Sequence, residues 1–488
     1  MTNRLSIVLL LACAPAACTK PNPALCCTDA ANCASLGIST DHMCTDGLVC
    51  IANSCVAETC SSNTDCNAQL PFCASTGLCE AACETNAECP GFGGSDDAIC
   101  SNGSCVQCVM NSDCAAPTPV CDANVCVQCA TNADCSAAAP ICAANNMCAN
   151  CGSDGDCASN VCGANGSCVD PADIVYLDPG GTDGGSCTSA APCRTIAYAA
   201  TQTNQTRQFL SLTMGTYNES SFNITSTTTA ATSIEIHGHG AGLVSTADGP
   251  AYDIAIGVTI RDLSMSGGGH VLSLDGTSET YDLQNVTISN GGGGLITNGT
   301  VTAKNLTIFD VAPAIFVQSG SFSGDRIIAH DVSLGIELGG VDQASVQITN
   351  ALVYNVTQGP GFDVENATGT VASSTVANTG DPGNPGGLAF NCKTPLTVRS
   401  SILWTPGFAT SRPVVSGCNV ATSIAGPTTL TGVTNADPMF VNAAMGDFHI
   451  QAGSPAIDQV NTGPADDFEG DARPQGMRYD IGADEFKP

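Results

Sequence analysis

Cysteine spacing constrains this chain more than any other feature of its sequence. The 488 residues contain 32 cysteines, and only Cys187, Cys193, Cys392 and Cys418 follow Cys168. This density is typical of proteins that fold in an oxidising compartment, because cytosolic thiols stay reduced. The sequence therefore predicts an exported chain whose first third is stabilised by disulfide bonds.

From Cys60 onwards the cysteines recur in units of four, each opening with a C-x5-C spacing that ends on an acidic residue and a cysteine. A unit of roughly 20 residues with almost no aromatic side chain cannot bury enough apolar area to offset its chain entropy. We expect two disulfides per unit, each stabilising it by about 2–4 kcal/mol. Their connectivity stays open. The units are Cys60-Cys66-Cys73-Cys79, Cys83-Cys89-Cys100-Cys105, Cys108-Cys114-Cys121-Cys126, Cys129-Cys135-Cys142-Cys148 and Cys151-Cys157-Cys162-Cys168.

Zinc is the alternative interpretation of this array. The pair Cys105 and Cys108, followed by Cys126 and Cys129, has the spacing of a zinc ribbon. These pairs straddle unit boundaries and would leave the cysteines between them unused. Disulfides are therefore the favoured interpretation, and no metal ligand is assigned.

Residues 1–18 have the pattern of a signal peptide, with Arg4 before a short apolar core at 5–12 and small residues up to Cys18. The segment resembles a bacterial lipoprotein signal, which implies acylation of Cys18. An even number of cysteines follows Cys18, which favours it over Cys13, although Cys13 has the better local motif. Plain cleavage after Ala16 is the remaining alternative.

Net charge limits the partners of the chain. The sequence holds 13 basic and 45 acidic residues, and none of the basic residues lies between Lys20 and Arg194. So acidic a chain is repelled by nucleic acid and by anionic lipid surfaces. We expect no nucleic-acid partner, and a lipid anchor is the expected link to the membrane.

After Cys168 the composition changes to Val, Ile, Thr, Ser, Asn and Gly. Short β-type runs such as 284–288 and 304–308 recur roughly every 20–27 residues, which is typical of one coil of a parallel β-helix. The predicted organisation is a cysteine-rich array at 19–168, a mainly β right-handed parallel β-helix at 173–436, and a tail at 437–488 that completes it.

The coil spacing predicts two polar columns and a disulfide. Asn285, Asn305 and Asn350 are expected to stack at one turn, where their side-chain amides can bond along the solenoid. A second column is predicted five residues further on and consists of Asn290, Asp310, His330 and Asn355.

The same spacing predicts a disulfide between Cys392 and Cys418, which lie one coil apart. Cys187 and Cys193 are expected to pair locally.

Three stretches resemble bacterial β-helix proteins of the pectate lyase-like superfamily. Residues 175–185 and 192–200 are similar to that family's first strand and capping helix, and the coils form the second stretch. The third, 437–486, is similar to the choice-of-anchor Q domain of surface proteins. The resemblance implies the fold and an exported location, and it implies little about activity, because catalytic and non-catalytic members share it.

Enzymes of this fold mostly act on acidic polysaccharides, using calcium with a basic residue or paired carboxylates. The coils carry few basic residues, and one cluster combines an acid, a base and an imidazole. His237-Gly238-His239-Gly240 has no evident partner and is interpreted as a turn. The cluster, a candidate catalytic site, consists of Asp310, Arg326, His330 and Asp331.

No cofactor is expected. Four acidic residues of the tail offer calcium ligands: Asp466, Asp467, Glu469 and Asp471. If Arg473 holds the turn that these residues form, the turn needs no ion. The favoured hypothesis is a monomeric outer-surface protein that binds glycan or a surface partner through the second column without turning it over. The alternative hypothesis is a polysaccharide lyase or glycoside hydrolase.

Overall fold

The computed structural model describes residues 99–246, 248–379, 387–405 and 414–487, with scattered positions between Cys26 and Cys89. The predicted signal peptide and its Cys13 and Cys18 lie outside the described residues. The chain divides into two compact units, Met1–Gly152 with Ala164–Cys168, and Ser153–Gly163 with Val169–Pro488. Residues 153–163 thus group with the second unit, although they precede the boundary that was expected at Cys168. Within the described residues, no helix has the length and apolarity needed to cross a membrane.

The cysteine-rich unit is built from small two-stranded antiparallel hairpins. A 3-10 turn precedes the hairpin in three of the described repeats, at Asn86–Glu88, Asn111–Asp113 and Asn132–Asp134. The hairpins are Leu48–Ile51 with Ser54–Ala57, Phe72–Cys73 with Cys79–Glu80, Ile99–Ser101 with Ser104–Val106, Val120–Asp122 with Val125–Val127, and Ile141–Cys142 with Cys148–Ala149.

The described disulfides of the four-cysteine repeats follow one pattern, which the sequence left open; Cys26–Cys50 and Cys27–Cys33, upstream of the repeats, lie outside it. The first cysteine of a repeat pairs with the third, as in Cys108–Cys121, and the second pairs with the fourth, as in Cys114–Cys126. The four cysteines of the zinc-ribbon alternative are all disulfide-bonded and offer no thiolate for a metal. Disulfides in this number indicate an exported or extracellular protein. The other pairs of this pattern are Cys60–Cys73, Cys83–Cys100, Cys89–Cys105, Cys129–Cys142 and Cys135–Cys148.

The acidic residue before each second cysteine closes the 3-10 turn. Asp134 Oδ2 accepts hydrogen bonds from the backbone N–H groups of Thr131 and Ala130, at 2.8 and 3.0 Å. These bonds lower the pKa of Asp134. Asp113 makes the same pair of contacts one repeat earlier. The repeated acid is therefore a cap for the backbone donors that begin each turn.

The second unit is a right-handed parallel β-helix with three faces. Five long strands bend at a corner and so contribute to two faces: Ser233–Ser245, Gly257–Ser266, Thr280–Ser289, Thr300–Phe309 and Gly320–Val332. The first face consists of the segments before this corner together with the strands Ile174–Leu177, Phe209–Leu212, Ala344–Thr349, Ala367–Ala372, Thr397–Arg399 and Asn419–Ala421. The second face consists of the segments after the corner together with the strands Thr216–Glu219, Leu352–Val356, Thr375–Thr379, Ile402–Trp404 and Ile424–Gly426.

The third face is a sheet of nine parallel strands. Alternate side chains of all three faces point into the solenoid, where Ile260, Leu283 and Ile288 are fully or almost fully buried. Phe362 and Phe390 stack in this core with ring centroids 4.5 Å apart. The strands of the third face are Phe222–Ile224, Tyr252–Ile254, His270–Leu274, Gly293–Thr297, Ile315–Val317, Ile336–Leu338, Phe362–Val364, Phe390–Cys392 and Val415–Ser416.

The corner between the first and second faces is one residue in the left-handed conformation, which Asn and Asp tolerate best. Asn305 Nδ2 donates to Asn285 Oδ1 at 2.6 Å, and Asn285 Nδ2 donates to Asp262 Oδ1 at 2.8 Å. Asn350 lies at the same corner, but Arg326 occupies the position between it and Asn305, so its amide donates to Asp325 instead. The predicted amide column therefore exists and is interrupted once.

A disulfide stabilises the solenoid near each of its ends. The short helix Ile196–Ala200 packs at the first coil, and Cys187 pairs with Cys193 beside it, with Cα atoms 4.9 Å apart. Near the other end Cys392 and Cys418 form a disulfide with Cα atoms 5.2 Å apart, close to the separation of adjacent strands.

The tail adds the antiparallel pair Phe440–Asn442 and Asp447–Ile450, joined by the 3-10 turn Ala443–Met445. The predicted role of the Arg473 side chain is wrong. Its buried guanidinium pairs with Glu485 at 2.8 Å and not with the four acids, and only its backbone N–H joins the turn, donating to Ala465 at 2.9 Å. That turn is closed by Asp467, whose Oδ1 accepts the backbone N–H groups of residues 469–471.

A carboxylate on the third face gives a prediction about pH. Burial, followed by the charge of the neighbouring Asp275, raises the pKa of Asp253 to about 6. The folded state therefore holds this proton more tightly than the unfolded state, and the cost of ionisation develops as the pH rises towards and through 6. We expect Asp253→Asn to increase the free energy of unfolding by about 1 kcal/mol at neutral pH, after allowance for solvent screening.

Urea denaturation of both proteins at a series of pH values measures this difference. The amide that replaces the carboxylate can still accept the hydrogen bond that Asn223 donates to Asp253 at 2.8 Å, so the substitution changes charge and little else. The gain is expected to shrink as the pH is lowered from 6 towards 4. A gain that stays constant over this range would contradict the assigned cause.

Candidate functional site

An open groove of about 650 Å³ runs along the first face. Four successive strands form its floor, and most of the side chains that project into it are neutral hydrogen-bonding groups. Tyr281 is the one aromatic residue of the lining. The polar residues of the groove are Ser233, Glu235, Thr259, Thr280, Asp282, Gln284, Thr300, Thr302 and Lys304.

The strand register explains why these side chains line up. Glu235, Thr259, Asp282 and Thr302 are paired in succession, so their side chains leave the sheet at the same height on adjacent coils. Successive coils lie about 4.8 Å apart. The result is an unbroken line of outward polar side chains, here called the polar row. It continues beyond the groove through Ser323, Gln347, Thr370, Thr397 and Asn419.

The carboxylates of the groove already contact neighbouring side chains. Asp282 Oδ2 accepts from Gln284 Nε2 at 2.6 Å, and Arg261 lies 3.8 Å from Glu235. Lys304 is exposed at the far edge of the groove. The imidazole nearest to a lining carboxylate is that of His237, whose Nε2 lies 3.5 Å from Glu235 Oε2, but the His237 side chain is fully buried. The chemistry of the groove is that of hydrogen bonding.

The second predicted column lies at the corner that follows the second face, here called the second corner. One of its four predicted residues, His330, is not at this corner. Asn290, Asp310 and Asn355 share the left-handed conformation there, and the residue between Asp310 and Asn355 is Asp331. His330 lies one position earlier, on the second face. The coil that begins at Asp310 is one residue longer than the preceding coil. A prediction that assumes coils of equal length therefore selects His330 instead of Asp331.

His330 instead belongs to an aromatic stack. Its ring lies between Phe309 and Tyr354, with centroid distances of 5.2 and 5.1 Å and nearly parallel planes. Phe448 of the tail covers Tyr354 at 4.8 Å. The two inner rings, His330 and Tyr354, thus each have an aromatic neighbour on both sides.

The candidate catalytic cluster does not converge. His330 Nδ1 lies 2.7 Å from Asp331 Oδ2, and this hydrogen bond lowers the pKa of Asp331. Arg326 has other partners: its guanidinium lies 3.4 Å from Asp466 and 3.9 Å from Asp325. Asp310 meets Asp331 through a backbone hydrogen bond of 3.2 Å. Arg326, the predicted base, is thus paired with other carboxylates and not with His330 and Asp331, which it would have to assist.

The sequence interpretation missed a second cluster. His237 and His239, which were interpreted as a turn without partners, both contact Asp154, and all three belong to the second compact unit. His237 Nδ1 lies 2.7 Å and His239 Nε2 lies 3.1 Å from Asp154 Oδ2. The His-x-His pattern was the available signal, but its partner is more than 80 residues away in the chain.

Comparisons with known proteins give a fold neighbour and no relative. No family model matches the chain, and no curated protein matches it. The crystal structure of pectate lyase Pel9A is similar to 64% of this chain and to 96% of its own, with 13% sequence identity and a TM-score of 0.46. A likeness at this level does not extend to substrate or activity.

Proposed function

We propose that this chain is an exported binding protein that holds an extended, mostly neutral glycan along the first face of its β-helix. The single observation that carries this proposal is the polar row, which crosses the groove and repeats once per coil. A linear polysaccharide presents hydroxyl groups at a comparable repeat, so one sugar unit can meet one coil.

The composition of the groove favours a neutral ligand. Thr259, Thr302 and Gln284 donate and accept hydrogen bonds without carrying charge. The cations Lys304 and Arg261 are outnumbered in a chain with a formal net charge of −32, which disfavours a polyanionic ligand. The groove is also open, as an elongated ligand that extends beyond it requires.

Binding is proposed rather than turnover because the carboxylates of the groove are engaged with neighbours, and the imidazole beside Glu235 is fully buried. A lyase or hydrolase needs titratable groups that converge on one bond within hydrogen-bond reach. In the groove, Asp282 is bonded to the amide of Gln284, and Glu235 faces Arg261 and His237. The His330–Asp331 pair lies at and beside the second corner, outside the groove lining.

Display at the cell surface completes the proposal. The disulfides agree with export, and the resemblance of residues 437–486 to the choice-of-anchor Q domain supports surface attachment. Acylation of Cys18 is the proposed anchor. Calcium in the tail has no part in this proposal.

The proposal predicts that the double variant Asp282→Ala, Thr302→Ala loses about tenfold or more in affinity for the glycans that the native protein selects. Each lost hydrogen bond accounts for about 0.5–1.5 kcal/mol. A glycan array identifies the ligands, and titration calorimetry with the best of them measures the loss. The native protein should release neither reducing ends nor unsaturated products from the same glycans.

The control is the double variant Asn290→Gly, Asn355→Gly, which removes side chains from the second corner and places glycine at positions with φ near 50°. Its affinity should equal that of the native protein. Loss of binding in this variant alone would assign the ligand to the second corner. Product release that depends on His330 and Asp331 would establish the enzyme alternative.

A further inference from the structure

Asp154, His237 and His239 bring three ligand-type atoms to one point, all within 4.8 Å of one another. The His237 side chain is fully buried, and 13% of the Asp154 side chain and 24% of that of His239 are exposed. The carbonyl oxygen of Asn160 lies 2.9 Å from His239 Nε2, beside the same point. Two imidazole nitrogens, a carboxylate and a nearby oxygen form a donor set of the kind that zinc uses.

The outer nitrogens of both rings face acceptors. His239 Nδ1 lies 2.9 Å from the carbonyl oxygen of Leu212, so this nitrogen carries the proton. His237 Nε2 is buried without a hydrogen-bond partner, and the carboxylate of Glu235 is 3.5 Å away. The lone pair of His239 Nε2 therefore faces Asp154, and that of His237 Nδ1 does so in the tautomer that carries its proton on Nε2, beside Glu235. Partners on the outer nitrogen are the usual support of histidines that bind a metal.

Lone pairs that face a carboxylate need a cation between them. A neutral imidazole has one N–H. In His239 it faces the Leu212 carbonyl, whereas His237 can carry it on Nδ1 towards Asp154 or on Nε2 beside Glu235. Either protons occupy this point, with His239 doubly protonated, or one metal ion satisfies both rings and the carboxylate together. The two solutions differ in composition, so an experiment can separate them.

Comparison among the cysteine-rich repeats gives an independent argument. Asn86, Asn111 and Asn132 begin the 3-10 turns of earlier repeats, and each Oδ1 accepts the backbone N–H of the third cysteine of its repeat at 2.8–2.9 Å. Asp154 takes this place in the last repeat and keeps the bond, at 2.7 Å to Cys162. The change from amide to carboxylate leaves that bond intact. It replaces a donor by a second oxygen, Oδ2, which is the atom that faces the histidines.

We propose that Asp154 Oδ2, His237 Nδ1 and His239 Nε2 bind one Zn²⁺ ion, with the carbonyl oxygen of Asn160 beside the fourth position. Imidazole donors favour zinc and related transition metals, whereas calcium prefers six or more oxygen ligands. The burial of His237 suits a structural ion. Bound there, the ion would fix residues 153–163 on the first coils of the solenoid.

The test uses the full-length, oxidised protein without an affinity tag. The protein is dialysed against micromolar zinc chloride and free metal is removed. Inductively coupled plasma mass spectrometry should then find one zinc ion per native chain. Asp154→Asn and His239→Gln should each retain about a tenth or less. Cobalt in place of zinc should give the visible absorption of a four-coordinate site. Glu235→Gln, which changes only the group behind His237, should weaken zinc binding about tenfold.

Asp154→Asn is the informative variant because the earlier repeats show that Asn keeps the bond to the third cysteine. Its circular dichroism should match that of the native protein. Asn132→Asp is the matched control: it places a carboxylate at the same position of a repeat and should bind no additional zinc. Native protein that binds no more zinc than Asp154→Asn would overturn the proposal and leave protons at this point in place of the metal.

Discussion

Replacement of Arg473 by methionine is expected to lower the free energy of unfolding of the β-helix unit by about 3–5 kcal/mol. The Arg473 side chain is fully buried, and its ion-pair partner Glu485 is 1% exposed. The guanidinium also donates to the backbone carbonyls of Asp480 and Gly482, at 2.8 and 3.2 Å. Methionine fills much of the same space but leaves Glu485 charged and the carbonyls without donors. The unpaired buried charge is the largest part of the loss.

Urea denaturation monitored by circular dichroism measures this effect. Lys393→Met is the matched control, because the ion pair of Lys393 with Glu365 joins side chains that are 63% and 43% exposed. An exposed pair of this kind contributes little to stability, because solvent and salt screen it. The double variant Arg473→Met, Glu485→Leu removes both charges and should recover part of the loss. An Arg473→Met protein as stable as the control variant would contradict the assigned role.

The sequence predicts the β-helix because its periodicity is a direct consequence of the fold. Each coil must return to the same corner, and a corner in the left-handed conformation selects Asn or Asp, as at Asn285 and Asn305. The amide ladder and the spacing of Cys392 and Cys418 follow from the same period. The cysteine units are equally periodic, but pairing depends on how each hairpin folds, which spacing alone leaves undetermined.

Predictions for single residues fail where the period changes or where the contact is distant in sequence. His330 is displaced from its predicted column because one coil is a residue longer, and it enters the stack with Phe309 and Tyr354. Arg473 pairs with Glu485 because only the folded tail brings them together. Asp154 meets His237 through a segment that precedes the coils altogether. In none of these contacts does a local pattern identify the partner, although His-x-His marks one side of the last.

Reduction of the disulfides is expected to unfold the cysteine-rich unit. Among its described residues, Phe72, Val120 and Pro140 are the buried apolar side chains that are not cysteines. The others are half-cystines: Cys26, Cys27, Cys33, Cys83, Cys89, Cys108, Cys129 and Cys151. Two disulfides per repeat contribute roughly 4–8 kcal/mol, which exceeds what a unit of this size gains from its small core. Without them the chain entropy is not offset.

The solenoid should survive the same treatment, because its stability comes from stacked apolar side chains such as Ile260, Leu283 and Phe362. Proteolysis with thermolysin, with and without a phosphine reductant followed by alkylation, tests both expectations. Trypsin is unsuitable because no Lys or Arg lies between Lys20 and Arg194. The reduced protein should be cleaved within residues 60–150 at least tenfold faster than the oxidised protein, with fragments from 209–379 remaining intact. Resistance of residues 60–150 after complete reduction would show that their packing, and not their disulfides, holds the repeats together.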